Sequence, residues 1–195
     1  MFDGDALATM AARLVLIEGV EGVVLGGSRA RGAQAADSDV DLGIYVAGEV
    51  DEDALGDLAT RLSEQPASWS GAGGWGTWVD GGAWLVVDGV RVDWIRRELA
   101  RVDAQWERAL RGEHALHAQA GHPLGFLDVG YCAELALGRV LADPRGSLAT
   151  RQAQMKMMPD ALGRALAARL WEARFDAATG GFSIPARTAV VFVEE

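Results

Sequence analysis

A single cysteine, Cys132, stands among the 195 residues, so no internal disulfide and no Cys-based metal site can form. Its apolar surroundings (Tyr131, Ala133, Leu135) suggest a buried helix position and an unreactive thiol. Basic residues are scarce: 18 Lys and Arg stand against 28 Asp and Glu, for a formal charge of -10. That balance argues against a nucleic-acid partner, since phosphate-backbone binding needs Lys and Arg to displace counterions. It argues equally against a membrane surface. No apolar run approaches the roughly 20 residues that span a bilayer, and Met1-Phe2-Asp3-Gly4-Asp5 lacks the basic start of a secretory signal. A cytoplasmic protein is the simplest reading. The three histidines, His114, His117 and His122, show no tight metal-ligand spacing and read as surface residues. What is plentiful is apolar: 50% of residues are hydrophobic, enough for a sizeable core and too many for a disordered chain.

Periodicity divides the chain in two. Residues 6–17 place Leu7, Met10, Ala11, Leu14 and Ile17 at helical spacing, with Gly19 to end the helix. Residues 20–25 read as a short buried strand stopped by Gly26-Gly27, and 28–36 as one or two helical turns. Residues 40–46 alternate Val40, Leu42, Ile44 and Val46 against Asp41, Gly43 and Tyr45, the mark of a second strand. An amphipathic helix is expected over 51–64, a loop over 66–74, and strands over 75–79, 84–87 and 90–95. Asp88-Gly89 between the last two is a hairpin signal, because a type I′ turn needs positive φ at both positions. Beyond Arg96 helices are expected over 99–118, 128–141, 148–158 and 160–178, punctuated by Pro123, Pro144 and Pro159. The expected fold class is α+β: a small mixed sheet packed with helices over residues 1–97, then an α-helical domain over 98–195. The apolar run Ala189-Val190-Val191-Phe192-Val193 reaches almost to the last residue, which suggests an element docked on a partner or a helical domain cut short.

The chemistry concentrates in Val24-Leu25-Gly26-Gly27-Ser28-Arg29-Ala30-Arg31-Gly32 and the following Asp37-Ser38-Asp39-Val40-Asp41-Leu42. A strand that ends in two glycines lets a ligand approach the backbone closely. A helix opening at Ser28 would aim backbone N–H groups, with the Ser28 hydroxyl, at an anion. Asp39 and Asp41 are two apart, so both carboxylates leave one face of the strand. Paired carboxylates repel unless a cation lies between them, and hard oxygen ligands suit Mg²⁺. Asp93 lies in an otherwise apolar strand, where a lone carboxylate is costly; if that strand adjoins 40–46, Asp93 completes the cluster. Of the two arginines, Arg31 is the favoured phosphate contact.

Leu25-Gly26-Gly27-Ser28, ten residues, then Asp39-Val40-Asp41, with Asp93 as a distant third acid, resembles the DNA polymerase β-type nucleotidyltransferase superfamily. Gly-Ser-Arg-Ala-Arg-Gly with Ser-Asp-Val-Asp-Leu looks like its minimal and antibiotic-modifying branches. Residues 158–175 are reminiscent of the helical domain of small members. The resemblance implies that Gly27 and Ser28 cradle phosphates, that Asp39 and Asp41 bind two Mg²⁺ ions, and that Asp93 binds the catalytic one. It implies ATP or another nucleoside triphosphate as substrate. A nucleoside monophosphate would pass to a hydroxyl of a small molecule such as an aminoglycoside or lincosamide. Two rival readings stand beside it: AMP transfer to a partner protein, as in antitoxin-like members, and a non-catalytic nucleotide-binding module. The sequence is compatible with a homodimer.

Taken singly, these features have plainer readings. Gly26-Gly27 alone would be a tight turn, and Asp37-Ser38-Asp39 alone a cap; Asp93 could face solvent on an edge strand. Their joint spacing favours the functional reading. The tryptophans read as packing residues, but in a two-residue hairpin Trp84 falls opposite Asp93 and would flank the site. The acids of the second half (Glu98, Glu107, Glu113, Glu134, Glu172) read as solvated faces, with no means of choosing a general base among them.

Overall fold

The computed structural model describes residues 4–30, 38–119, 122–171, 174–176 and 181–183. Helix α1 (Gly4–Leu14) leads into β1 (Val20–Leu25), the single turn α2 (Gly27–Ala30), β2 (Val40–Val46) and α3 (Glu52–Leu62). The Asp51 side chain caps α3 by accepting from the Ala54 N–H at 2.9 Å, which satisfies one of the helix's unpaired donors. Strands β3 (Gly82–Val87) and β4 (Val90–Glu98) form the expected hairpin, and Asp88 and Gly89 take φ of +51° and +72°, both positive as a type I′ turn requires. Residues 75–79 are irregular rather than a strand. Side chains take much of the backbone of 77–79 instead: Gln119 bonds that of Trp78 and Val79, and Arg101 that of Thr77 and Trp78.

After α4 (Leu99–Leu110) the chain departs from the helical expectation. It runs through β5 (Leu116–Gln119), β6 (His122–Leu127), α5 (Gly130–Leu137), β7 (Arg139–Ala142), α6 (Ser147–Met155), α7 (Asp160–Trp171), β8 (Arg174–Asp176) and β9 (Gly181–Ser183). The helix expected over 99–118 stops at Leu110 and the chain reverses at Gly112 with φ +76°, so residues 116–119 pair with β6 instead. The helix expected over 128–141 ends at Leu137, and β7 pairs antiparallel with β1. Its hydrogen bonds to an open sheet edge outweigh the helical pattern of a short segment. The helix expected over 160–178 likewise gives way to β8, paired with β9.

The main sheet has the order β3-β4-β2-β1-β7, with β2 and β4 parallel and the other neighbours antiparallel. Its last strand comes from beyond residue 97. Alternation sorts the side chains. One face carries Val23, Leu25, Val40, Leu42, Ile44, Val92 and Trp94 into a core closed by Leu7, Met10 and Leu14 of α1 and Leu55 and Leu58 of α3. Each such aliphatic side chain contributes about 1.5–3 kcal/mol by leaving water. The other face presents Val24 and Tyr45 to α4, α5 and α6, through Leu99, Val102, Tyr131, Leu135 and Leu148. Where β2 and β4 begin, the same face carries Asp41 and Asp93, outside both cores. That end bears the site.

Candidate active site on the open end of the sheet

At the end of β1 the Gly26 N–H donates to the Asp41 carbonyl at 2.8 Å, which holds the glycine pair beside β2. Gly27 takes φ +61°, in the left-handed region that favours glycine. A Cβ on it would fall 1.9 Å from Asp41 Oδ2. The absent side chain is therefore what lets the Asp41 carboxylate lie against the Gly27 backbone. The turn that follows is short, four residues, and Arg29 is engaged by the backbone. Its Nε donates to the carbonyls of Ser38 and Asp39 at 3.2 Å each and its Nη2 to Ser38 O at 2.7 Å, which ties α2 to the start of β2. Arg31 and the Ser28 side chain lie outside the described residues.

The acids are set by register. Asp41 is the parallel partner of Asp93, so their side chains leave the same face of adjacent strands, about 4.8 Å apart. Arg91, two residues before Asp93 and so on that face, places its Nε 2.6 Å from Asp39 Oδ1, which brings Asp39 to the same side. Burial, then the negative charges of Asp41 and Asp39, push the Asp93 carboxyl up to about 6, against the opposing effect of Arg91. The three carboxylates thus interact. Among the described residues no group of three His, Cys, Asp or Glu side chains stands ready to hold a metal ion, and Asp39 is turned towards Arg91. The composition of the site nevertheless fits a hard divalent cation: its donors are carboxylate oxygens, and their mutual repulsion is what a cation would relieve.

Two cavities flank the acids. One, of about 320 Å³, is lined by Gly26, Gly27, Asp41, Tyr45, Arg97 and Glu134. The other, of about 430 Å³, is lined by Asp39, Asp93, Arg91 and Trp84 among others. Trp84 is the antiparallel partner of Asp93, where the hairpin arithmetic put it. Arg91 is an addition to the sequence reading, and Glu134, read there as a solvated face, pairs with the buried Arg97 and lines the first cavity. The position of Arg91, two before Asp93 on one strand, was the available signal; the partner of Glu134 had none, because α5 must dock before its acid meets Arg97. Glu113, by contrast, pairs with Arg111 at 2.7 Å on the surface. His117 is half-buried against Trp78, with ring centroids 3.9 Å apart, and so is a packing residue of the β5–β6 hairpin, not a surface one. Cys132 is buried on α5 as expected, and burial pushes its thiol up to about 12.

The nucleotidyltransferase domain family matches the chain over residues 9–109, just over half its length. The chain belongs to that family. The matched span begins within α1, reaches almost to the end of α4 and contains Gly26, Gly27, Asp39, Asp41 and Asp93. The architecture is a nucleotidyltransferase fold, α+β with a mixed five-stranded sheet. No curated protein matches the chain. Among the described residues no helix is long and apolar enough to cross a membrane.

Proposed function

We propose that this nucleotidyltransferase moves a nucleoside monophosphate, AMP from ATP, to a hydroxyl of a small molecule, in the manner of the aminoglycoside- and lincosamide-modifying branch. The observation that carries the reading is the parallel register of Asp41 with Asp93 beside a glycine whose missing Cβ admits the Asp41 carboxylate. Asp39, Asp41 and Asp93 would hold Mg²⁺, and a divalent ion there supplies charge stabilisation to the α-phosphate and the departing pyrophosphate. The backbone of Gly26 and Gly27 takes the far end of the triphosphate, beside the Asp41 carboxylate that the missing Gly27 Cβ admits. The acceptor oxygen bonds to the α-phosphorus as the bond to the bridging oxygen breaks, pyrophosphate leaves, and the hydroxyl proton passes to solvent or a base. Arg91 donates to the Asp39 carboxylate at 2.6 Å; on metal binding that carboxylate would become a ligand and the freed guanidinium could pair with a phosphate. The chain's charge of -10 suits a cationic acceptor.

The test is incubation with labelled ATP, Mg²⁺ and an acceptor panel, alongside calorimetric titration of a non-hydrolysable ATP analogue with and without Mg²⁺. The variant Asp39→Ala/Asp41→Ala is expected to lose transfer and Mg²⁺-dependent triphosphate affinity together. A double variant that bound metal and nucleotide like the parent would place the site elsewhere. Mg²⁺-dependent binding with no transfer to any acceptor would favour a nucleotide-binding module.

A further inference from the structure

Across four strands the polar face presents a row: Gly26 beside β1, Asp41 on β2, Asp93 on β4 and Trp84 on β3, each lateral neighbour fixed by strand pairing or by the Gly26–Asp41 hydrogen bond. Successive strands are about 4.8 Å apart, so the glycine end and the tryptophan lie roughly 14 Å apart with the acids between them. Phosphoryl chemistry gives this row a direction. The attacking and leaving oxygens lie on opposite sides of the α-phosphorus. With pyrophosphate at the glycine end, the attacking hydroxyl enters from the side of Trp84.

Trp84 is unusual for its size. It is 64% exposed, among the largest apolar side chains left in water. It is also fixed: its ring stacks on Trp75, with centroids 4.3 Å apart and planes 13° from parallel. One face is thus propped and the other is open to solvent. The cavity it lines, about 430 Å³, is bordered also by Asp39, Asp93, Ser63 and Gln65, and by Arg91, whose charge the Asp39 carboxylate offsets at 2.6 Å. A rigid indole face beside acids is suited to the C–H face of a saturated ring carrying ammonium groups, through apolar contact and cation–π attraction.

We propose that Trp84, propped by Trp75, is the acceptor platform, and that the acceptor it selects is a cationic, ring-built polyol of the amino-sugar class. This rests on the transfer reading above, because the direction of the row comes from the triphosphate's position.

The experiment uses the full chain with Mg²⁺ and a non-hydrolysable ATP analogue bound, titrated with kanamycin and followed by calorimetry. Kanamycin is expected to bind the parent. Trp84→Ala is expected to weaken kanamycin tenfold or more while the nucleotide analogue's Kd stays within twofold. Trp84→Phe, which keeps a ring, should lie within about threefold of the parent and also controls for folding. The platform assignment is overturned if the parent binds no kanamycin, or if Trp84→Ala binds it as the parent does. It is overturned too if the nucleotide's Kd rises instead, which would give the indole to the base. A parent with no Mg²⁺-dependent affinity for the nucleotide analogue would overturn the transfer reading, and this inference with it.

Discussion

One face of strand β4 carries Arg91, Asp93 and Arg97, and its two ends are treated in opposite ways. Arg97 is 4% exposed and neutralised on the spot: Nε and Nη2 bond the two Glu134 oxygens at 2.6 and 2.9 Å, and the guanidinium lies 4.9 Å over the Tyr131 ring. Four residues earlier, Asp93 shares its surroundings with Asp41 and Asp39, and Arg91 is the nearby cation that opposes them. A buried charge is tolerated when a partner balances it. An imbalance left standing weakens the fold and is kept where an incoming ligand supplies the missing charge. The residue-97 end is therefore balanced as scaffold, and the residue-93 end is the one to which the proposed transfer assigns the chemistry.

The largest effect should come from unbalancing the balanced end. Glu134→Ala leaves the Arg97 guanidinium buried without its carboxylate, at an expected cost of about 2–3 kcal/mol; a fully enclosed pair would lose more, but Glu134 is half exposed to water. Urea denaturation reads this directly, and a loss below about 0.5 kcal/mol would remove the distinction between the two ends. Next comes the glycine that admits Asp41. In Gly27→Ala the Cβ would meet Asp41 Oδ2, and the backbone would have to hold φ +61° with a side chain. Expected are about 1 kcal/mol of lost stability and a roughly tenfold weaker Mg²⁺-dependent affinity for a triphosphate, about 1.4 kcal/mol. Calorimetric titration separates the two, and unchanged affinity would detach Gly27 from the anion pocket.

This contrast also marks what could be read from the residues. Both ends of β1 and β2 were legible, because Val40, Leu42, Ile44 and Val46 alternate and the glycine pair stops β1. Trp84 opposite Asp93 followed from a two-residue turn, which leaves no freedom of register. The meeting of Asp41 with Asp93 was conditional, since nothing local tells a strand which parallel neighbour it will take. The second half was less legible. Residues 139–142 continue a helical pattern, and only the vacant edge of β1, formed by a segment more than a hundred residues earlier, draws them into the sheet. The Arg97–Glu134 pair depends on that same docking, so it too was hidden.

The smallest predicted effect tests the imbalance most directly. The Asp93 carboxyl is raised to about 6 in the folded protein against an unfolded value near 3.8, by burial and then by Asp41 and Asp39. Between those values the folded state holds a proton that the unfolded state has released. Stability of the metal-free protein should therefore fall as pH rises from about 4 to about 6, and the penalty should persist at higher pH. Asp93→Asn mimics the protonated acid. It should match the parent near pH 4 and exceed it above pH 6 by on the order of 1 kcal/mol, after allowing for solvent screening of a group only half buried. Mg²⁺ should narrow the gap by stabilising the parent alone, because the variant lacks one carboxylate ligand. Urea midpoints at pH 4.5 and pH 7.5, each with and without Mg²⁺, decide it. A difference between parent and variant that ignored pH would mean the three carboxylates do not feel one another, and the acidic end would lose its claim to be waiting for a cation.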